Sequence, residues 1–164
     1  VLACGRLLPY TSLMNRGGAR ISGLALLYLL AGCTITQEAE PVALRPTDPA
    51  EMCVIEDPAV DETFLPAYRT ALERKGFTIR MLPAGTAVDA CPLTSTYHGR
   101  WSWDFVTYMS VGKIFVYRDG QYAGHAIYDA PKAGFSMTTR IYESTQSKID
   151  TMVDQLFPRG APRA

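Results

Sequence analysis

Two periods of apolar residues run through the chain, and together they predict a sheet covered by helices. Met52-Cys53-Val54-Ile55-Glu56 is short, apolar and β-branched, the pattern of a buried strand. Asp57-Pro58 breaks it. Phe64, Leu65, Tyr68 and Leu72 then recur at helical spacing with Ala71 beside them, after a cap at Asp61 or Thr63 and with Pro66 tolerated in the first turn. Gly76 supplies the stop. Phe77–Leu82 alternates as a half-buried strand, and Cys91–Trp103 is a longer one with Leu93, Ser95, Tyr97, Gly99 and Trp101 on one face. Thr107–Arg118 and Gln121–Tyr128 form a hairpin, because Asp119-Gly120 is a strong two-residue turn signal between alternating strands. Phe135–Tyr142 is expected to add a looser edge strand. A last helix, capped by Ser144 or Thr145, carries Ile149, Met152, Val153 and Leu156 on one stripe and stops at Pro158.

The element order is β-α-β-β-β-β-α. That predicts the α+β class: a mainly antiparallel sheet of about five strands with two helices packed on one face. The expected domain is 52–158. Thr34–Glu51, with Pro41, Pro46, Pro49 and scattered charges, is expected to be a flexible tether reaching on the order of 25 Å. Arg159–Ala164 is expected to be a disordered tail.

The N-terminal fifth has a different pattern. Arg16 and Arg20 precede an apolar run from Ile21 to Leu30, followed by Ala31-Gly32-Cys33. About ten apolar residues are too few for a spanning helix, which needs roughly twenty. Leu30-Ala31-Gly32-Cys33 resembles the lipobox of bacterial lipoproteins. The resemblance implies a signal peptide over 1–32, cleavage before Cys33, and acylation of Cys33 as a membrane anchor. Thr34 follows the cysteine where an inner-membrane lipoprotein would carry Asp, so the same resemblance implies the outer membrane, facing the periplasm. Met14-Asn15-Arg16 would open an ordinary signal of this type, so Val1–Leu13 is expected to reflect a misassigned start or a dispensable extension.

Charge narrows the choice of partners. Sixteen basic residues balance sixteen acidic ones, with no basic stripe, so nothing points to nucleic acid. With Cys4 in the leader and Cys33 acylated, Cys53 and Cys91 remain. In an oxidising compartment two such cysteines are expected to pair, adding roughly 4 kcal/mol in the chain-entropy model. The alternative is a metal site completed by His98 or His125, although neither cysteine has a CxxC partner.

Cys53-Val-Ile-Glu-Asp-Pro-Ala-Val60, Ala90-Cys91, Ser102-Trp103-Asp104, Tyr117-Arg118-Asp119-Gly120 and Lys148-Ile149-Asp150 occur in order. In these motifs the chain resembles the family of small proteobacterial envelope lipoproteins known by the locus-tag name "Sbal". That resemblance implies an envelope location and a Cys53–Cys91 disulfide, and it carries over no catalytic residue and no cofactor.

Candidate chemistry centres on Tyr97–Asp104. A periplasmic hydrolase would use Ser102 as nucleophile, His98 or His125 as base and Asp104 as orienter, yet no nucleophile elbow supports it. A binding surface is the better expectation. Arg100, Trp101, Trp103, Asp104, Tyr117 and Arg118 are its candidate residues, placed for an envelope protein or a glycan. A small-ligand carrier is the remaining alternative and requires an apolar cavity between sheet and helices. The favoured function is therefore a lipid-anchored, non-catalytic accessory or binding module of an envelope assembly or transport machine.

Overall fold

The computed structural model describes residues 36–104, 106–130 and 143–162. The leader, Cys33 and the expected strand over Phe135–Tyr142 lie outside them. Eight elements follow one another: β1 (Thr36–Glu40), β2 (Glu51–Ile55), α1 (Phe64–Arg74), β3 (Thr78–Leu82), β4 (Leu93–Asp104), β5 (Val106–Arg118), β6 (Gln121–Asp129) and α2 (Thr145–Leu156). They make one six-stranded sheet in the order β1-β6-β5-β4-β2-β3.

Local chemistry sets most boundaries. Before α1, the Asp61 carboxylate accepts from the Thr63 amide at 2.9 Å and the Thr63 hydroxyl at 2.6 Å, while Thr63 itself makes no capping bond. The helix closes as a Schellman turn: Gly76 stands at φ +91°, its amide bonds Glu73 O, and the Phe77 amide bonds Leu72 O. Ser144 caps α2 by accepting from the Ser147 amide at 3.2 Å. Asp119 and Gly120 both take positive φ, 49° and 75°, the geometry of the predicted two-residue hairpin turn.

The α+β class holds, with three differences from expectation. Among the described residues the sheet has six strands, because the segment expected to be a tether opens with β1. Thr36–Glu40 pairs antiparallel with β6, from Thr36 opposite Asp129 to Glu40 opposite His125. A polar five-residue strand carries little apolar signal of its own and is fixed by the open edge of β6. Second, β2 runs parallel to both of its neighbours, β3 and β4, whereas β4, β5, β6 and β1 are antiparallel. The crossover through α1 makes the β2–β3 pair parallel. Third, the tail is ordered as far as Pro162: the Ala161 amide donates to Lys75 O at 2.8 Å, and Ala161 packs on the core.

Both helices lie on one face. Phe64, Tyr68 and Leu72 of α1 and Ile149, Met152, Val153 and Leu156 of α2 are fully buried there, against Met52, Leu93, Tyr97, Ile114 and Ala126 of the sheet. Phe64 stacks on Tyr97 with ring centroids 5.1 Å apart, and Tyr68 shares a buried 2.8 Å hydrogen bond with Ser95. The two helices are also joined by charge: Arg74 pairs with Asp150 and Lys75 with Asp154.

Between β1 and β2 the chain forms a strap over one end of this core. The Val42 amide donates to Leu156 O at 2.9 Å, and Gly124 lets the strap approach, since a Cβ there would lie 2.5 Å from Glu40 O. Asp48 clamps the strap, accepting from the Arg45 amide at 2.8 Å and pairing with Arg118 at 2.9 Å. Burial opposes the Asp48 charge, but the Arg45 amide and the two guanidinium groups outweigh it and leave the carboxyl below its ordinary 3.8. A depressed carboxyl stabilises the fold fully above the unfolded value and loses that contribution as pH falls below about 4 toward the folded one. Asp48→Asn is therefore expected to lower unfolding free energy by about 2 kcal/mol at pH 7. The gap from the wild-type chain should narrow in urea titrations run progressively below pH 4. A gap that stays constant across that range would assign the loss to packing alone.

Candidate functional site

Cys53 and Cys91 form a disulfide, with their Cα atoms 6.3 Å apart. The bond staples β2 to the segment entering β4, beside the two residue pairs (Cys53 with Thr94, Val54 with Ser95) that join those strands. Both sulfurs are thus used, and the metal site considered for Cys53 and Cys91 does not form. Among the described residues no cluster of three or more His, Cys, Asp or Glu could hold a metal.

The residues expected to form one binding surface are separated into distinct places. Arg100 is exposed, next to a register shift between Arg100 and Trp101. Trp101 is half-buried and meets Phe64 edge-on at 6.3 Å; a Cβ on Gly99 would strike its ring at 2.6 Å. Trp103 is 72% exposed near the tip of the β4–β5 hairpin. The backbone of Asp104 pairs with Val106, and its side chain is not among those described. Tyr117 and Arg118 stand at the other end of β5, eight residues from Met109, the partner of Trp101, a span of about 26 Å. Arg118 is a structural clamp on Asp48 and on Ala43 O, at 2.7 Å.

The proposed hydrolase residues are likewise drawn to other partners. His98 lies 3.8 Å from the Asp57 carboxylate, while the Ser102 hydroxyl donates to Ser110 at 3.0 Å, and Ser110 in turn donates to Arg100 O. The space between sheet and helices is filled by the side chains named above. A recess of about 540 Å³ lies elsewhere, between the strap (Pro41, Val42, Leu44, Pro46) and the C-terminal segment (Phe157, Pro162).

Two groupings escaped the sequence. On the sheet face away from the helices, Phe115, Tyr117, Tyr122 and His125 form an aromatic patch. Tyr122 is half exposed, donates to the Glu40 carboxylate at 2.7 Å and contacts His125 Nδ1. Desolvation first, then the neighbouring Glu40 charge, pushes its hydroxyl up to about 12. His125 sits between Glu38 at 3.7 Å and Glu40 at 3.6 Å, so β1 completes this patch. No sequence rule placed Thr36–Glu40 beside it.

The second grouping is Lys148, buried on α2. It donates to Met109 O at 3.1 Å and lies 5.7 and 5.1 Å from the ring centres of Tyr108 and Tyr128. Burial holds its ammonium below the ordinary lysine range. Its spacing four before Met152 was the available sign that it sits on the apolar stripe.

No family model matches the chain, and no curated protein matches it. Among solved structures it is similar to two of the PelC dodecamer from Paraburkholderia phytofirmans, one a single-substitution variant. The variant is 11% identical, with 79% of this chain and 100% of that chain covered and a TM-score of 0.48. The other is 14% identical, covering 75% and 98%, at 0.49.

Proposed function

We propose that this chain is an envelope lipoprotein of the small proteobacterial family its motifs resemble. In this reading it is anchored through acylated Cys33, faces the periplasm from the outer membrane, and binds another envelope protein or a glycan without performing chemistry. Its role is that of an accessory module of an assembly or transport machine. The observation that carries the reading is the Cys53–Cys91 bond downstream of Leu30-Ala31-Gly32-Cys33. A structural disulfide belongs to an oxidising compartment, and a lipobox leader delivers a chain to one. Separate partners for His98 and Ser102 favour binding over hydrolysis.

Within this reading, the recognition surface is the open aromatic face around Tyr117 and Tyr122. No helix among the described residues covers it, and half-exposed aromatics next to carboxylates offer apolar area and polar handles together. The test places a photo-crosslinking side chain at Tyr122 and irradiates intact cells. The expected result is one dominant adduct with an envelope protein or glycan. Recovery of lipid adducts alone, or of none, would count against the binding role.

A further inference from the structure

We propose that the tip of the β4–β5 hairpin, through Trp103 and Val106, is a second membrane contact that sets the tilt of the domain on the bilayer; this rests on the Cys33 anchor proposed above. The inference comes from strand register. Thr36, the first residue of β1, lies opposite Asp129; Asp129 lies opposite Val111; and Val111 lies opposite Arg100. These four residues mark one level across the sheet. Past that level the Ala130 amide still donates to Ser110 O at 2.8 Å, and beyond it, among the described residues, β4 and β5 continue as a pair, from Trp101 opposite Met109 to Asp104 opposite Val106. The extension is four residues of β4, about 13 Å.

Only Thr34 and Ile35 separate Cys33 from Thr36. Three residue steps span at most about 11 Å when fully extended. The link from sheet to anchor is therefore no longer than the hairpin extension, and Thr36 and the hairpin stand at the same end of the sheet. A bilayer holding acyl chains on Cys33 meets the hairpin tip.

The tip is built for that encounter. Trp103 is 72% and Val106 48% exposed, and with Tyr122 they are the large hydrophobic residues most exposed among those described. An indole at a membrane surface settles at the headgroup level, with its ring in the apolar boundary and its N–H hydrated. The acyl chains provide the affinity, and the tip provides a second point that fixes orientation. Tyr117 lies six residues of β5 beyond Val111 in the opposite direction, about 20 Å farther from the surface. The aromatic patch would then point into the periplasm.

The test uses the full chain as processed by the cell, purified from membranes and reconstituted in vesicles of phosphatidylethanolamine and phosphatidylglycerol with brominated acyl chains. The chain has two tryptophans, and Trp101 is shielded against Phe64. Brominated lipid should remove roughly half of the tryptophan emission in the wild-type chain and less than about a tenth in Trp103→Phe. Protein that floats with the vesicles but is quenched equally in both forms would overturn the hairpin contact and leave the anchor standing. Protein that fails to float would refute the anchor and, with it, this inference.

Discussion

Removing the Cys53–Cys91 bond is expected to lower the unfolding free energy by about 4 kcal/mol, more than a third of what many domains possess. The bond closes a loop of sequence separation 38 that contains α1 and β3. Without it, β2 and β3 are held to β4 by two paired positions and by the helices above them. Cys53 is fully buried, so Cys53→Ala with Cys91→Ala removes the cross-link while adding only a small void. Urea unfolding of this double variant against the oxidised chain should show the midpoint falling with little change in slope. A loss below about 1 kcal/mol would mean that packing alone holds β2 in register.

Phe64→Ala is the other large effect, expected at about 3–5 kcal/mol. Phe64 opens α1 and is fully buried between Tyr97, stacked at 5.1 Å, Trp101 at 6.3 Å and Tyr68 at 6.2 Å. Truncation opens a cavity that rigid aromatic neighbours cannot close, and it strips one wall from Trp101. Denaturant melts should show the loss, with Trp101 emission shifting to longer wavelength in the native state. A stable variant with unchanged emission would contradict this packing.

These two sites mark what the sequence could reveal. Phe64, Tyr68 and Leu72, and Ile149, Met152, Val153 and Leu156, declare their helices by spacing alone, and all of them are buried. Asp119-Gly120 declares its hairpin because few other residue pairs accept two positive φ angles. Strand direction was less legible. A period of two says which residues share a face but not which way the neighbouring strand runs, so β2 gave no sign of its two parallel partners. Thr36–Glu40 was hidden for another reason: its strand character comes from the free edge of β6 and not from its own residues.

Legibility of the candidate binding residues followed the same logic. Alternation put Trp101 on one face with Tyr97, and both rings meet Phe64. It could not show that β4 and β5 continue past the level of Thr36 and Asp129, where Trp101 packs against Phe64 and Trp103 is exposed. Arg118 looked like a surface cation because its partner, Asp48, lies seventy positions earlier in the strap. Tyr122 and His125 acquired their setting only when β1 brought Glu38 and Glu40 alongside.

The central claim is a membrane mooring three residues ahead of an oxidised domain. Mass spectrometry of the N-terminal peptide from protein extracted from cell membranes tests it most directly. The account predicts a chain beginning at Cys33 that carries diacylglycerol on its sulfur. A peptide that runs unmodified through Gly32 and Cys33 would contradict it.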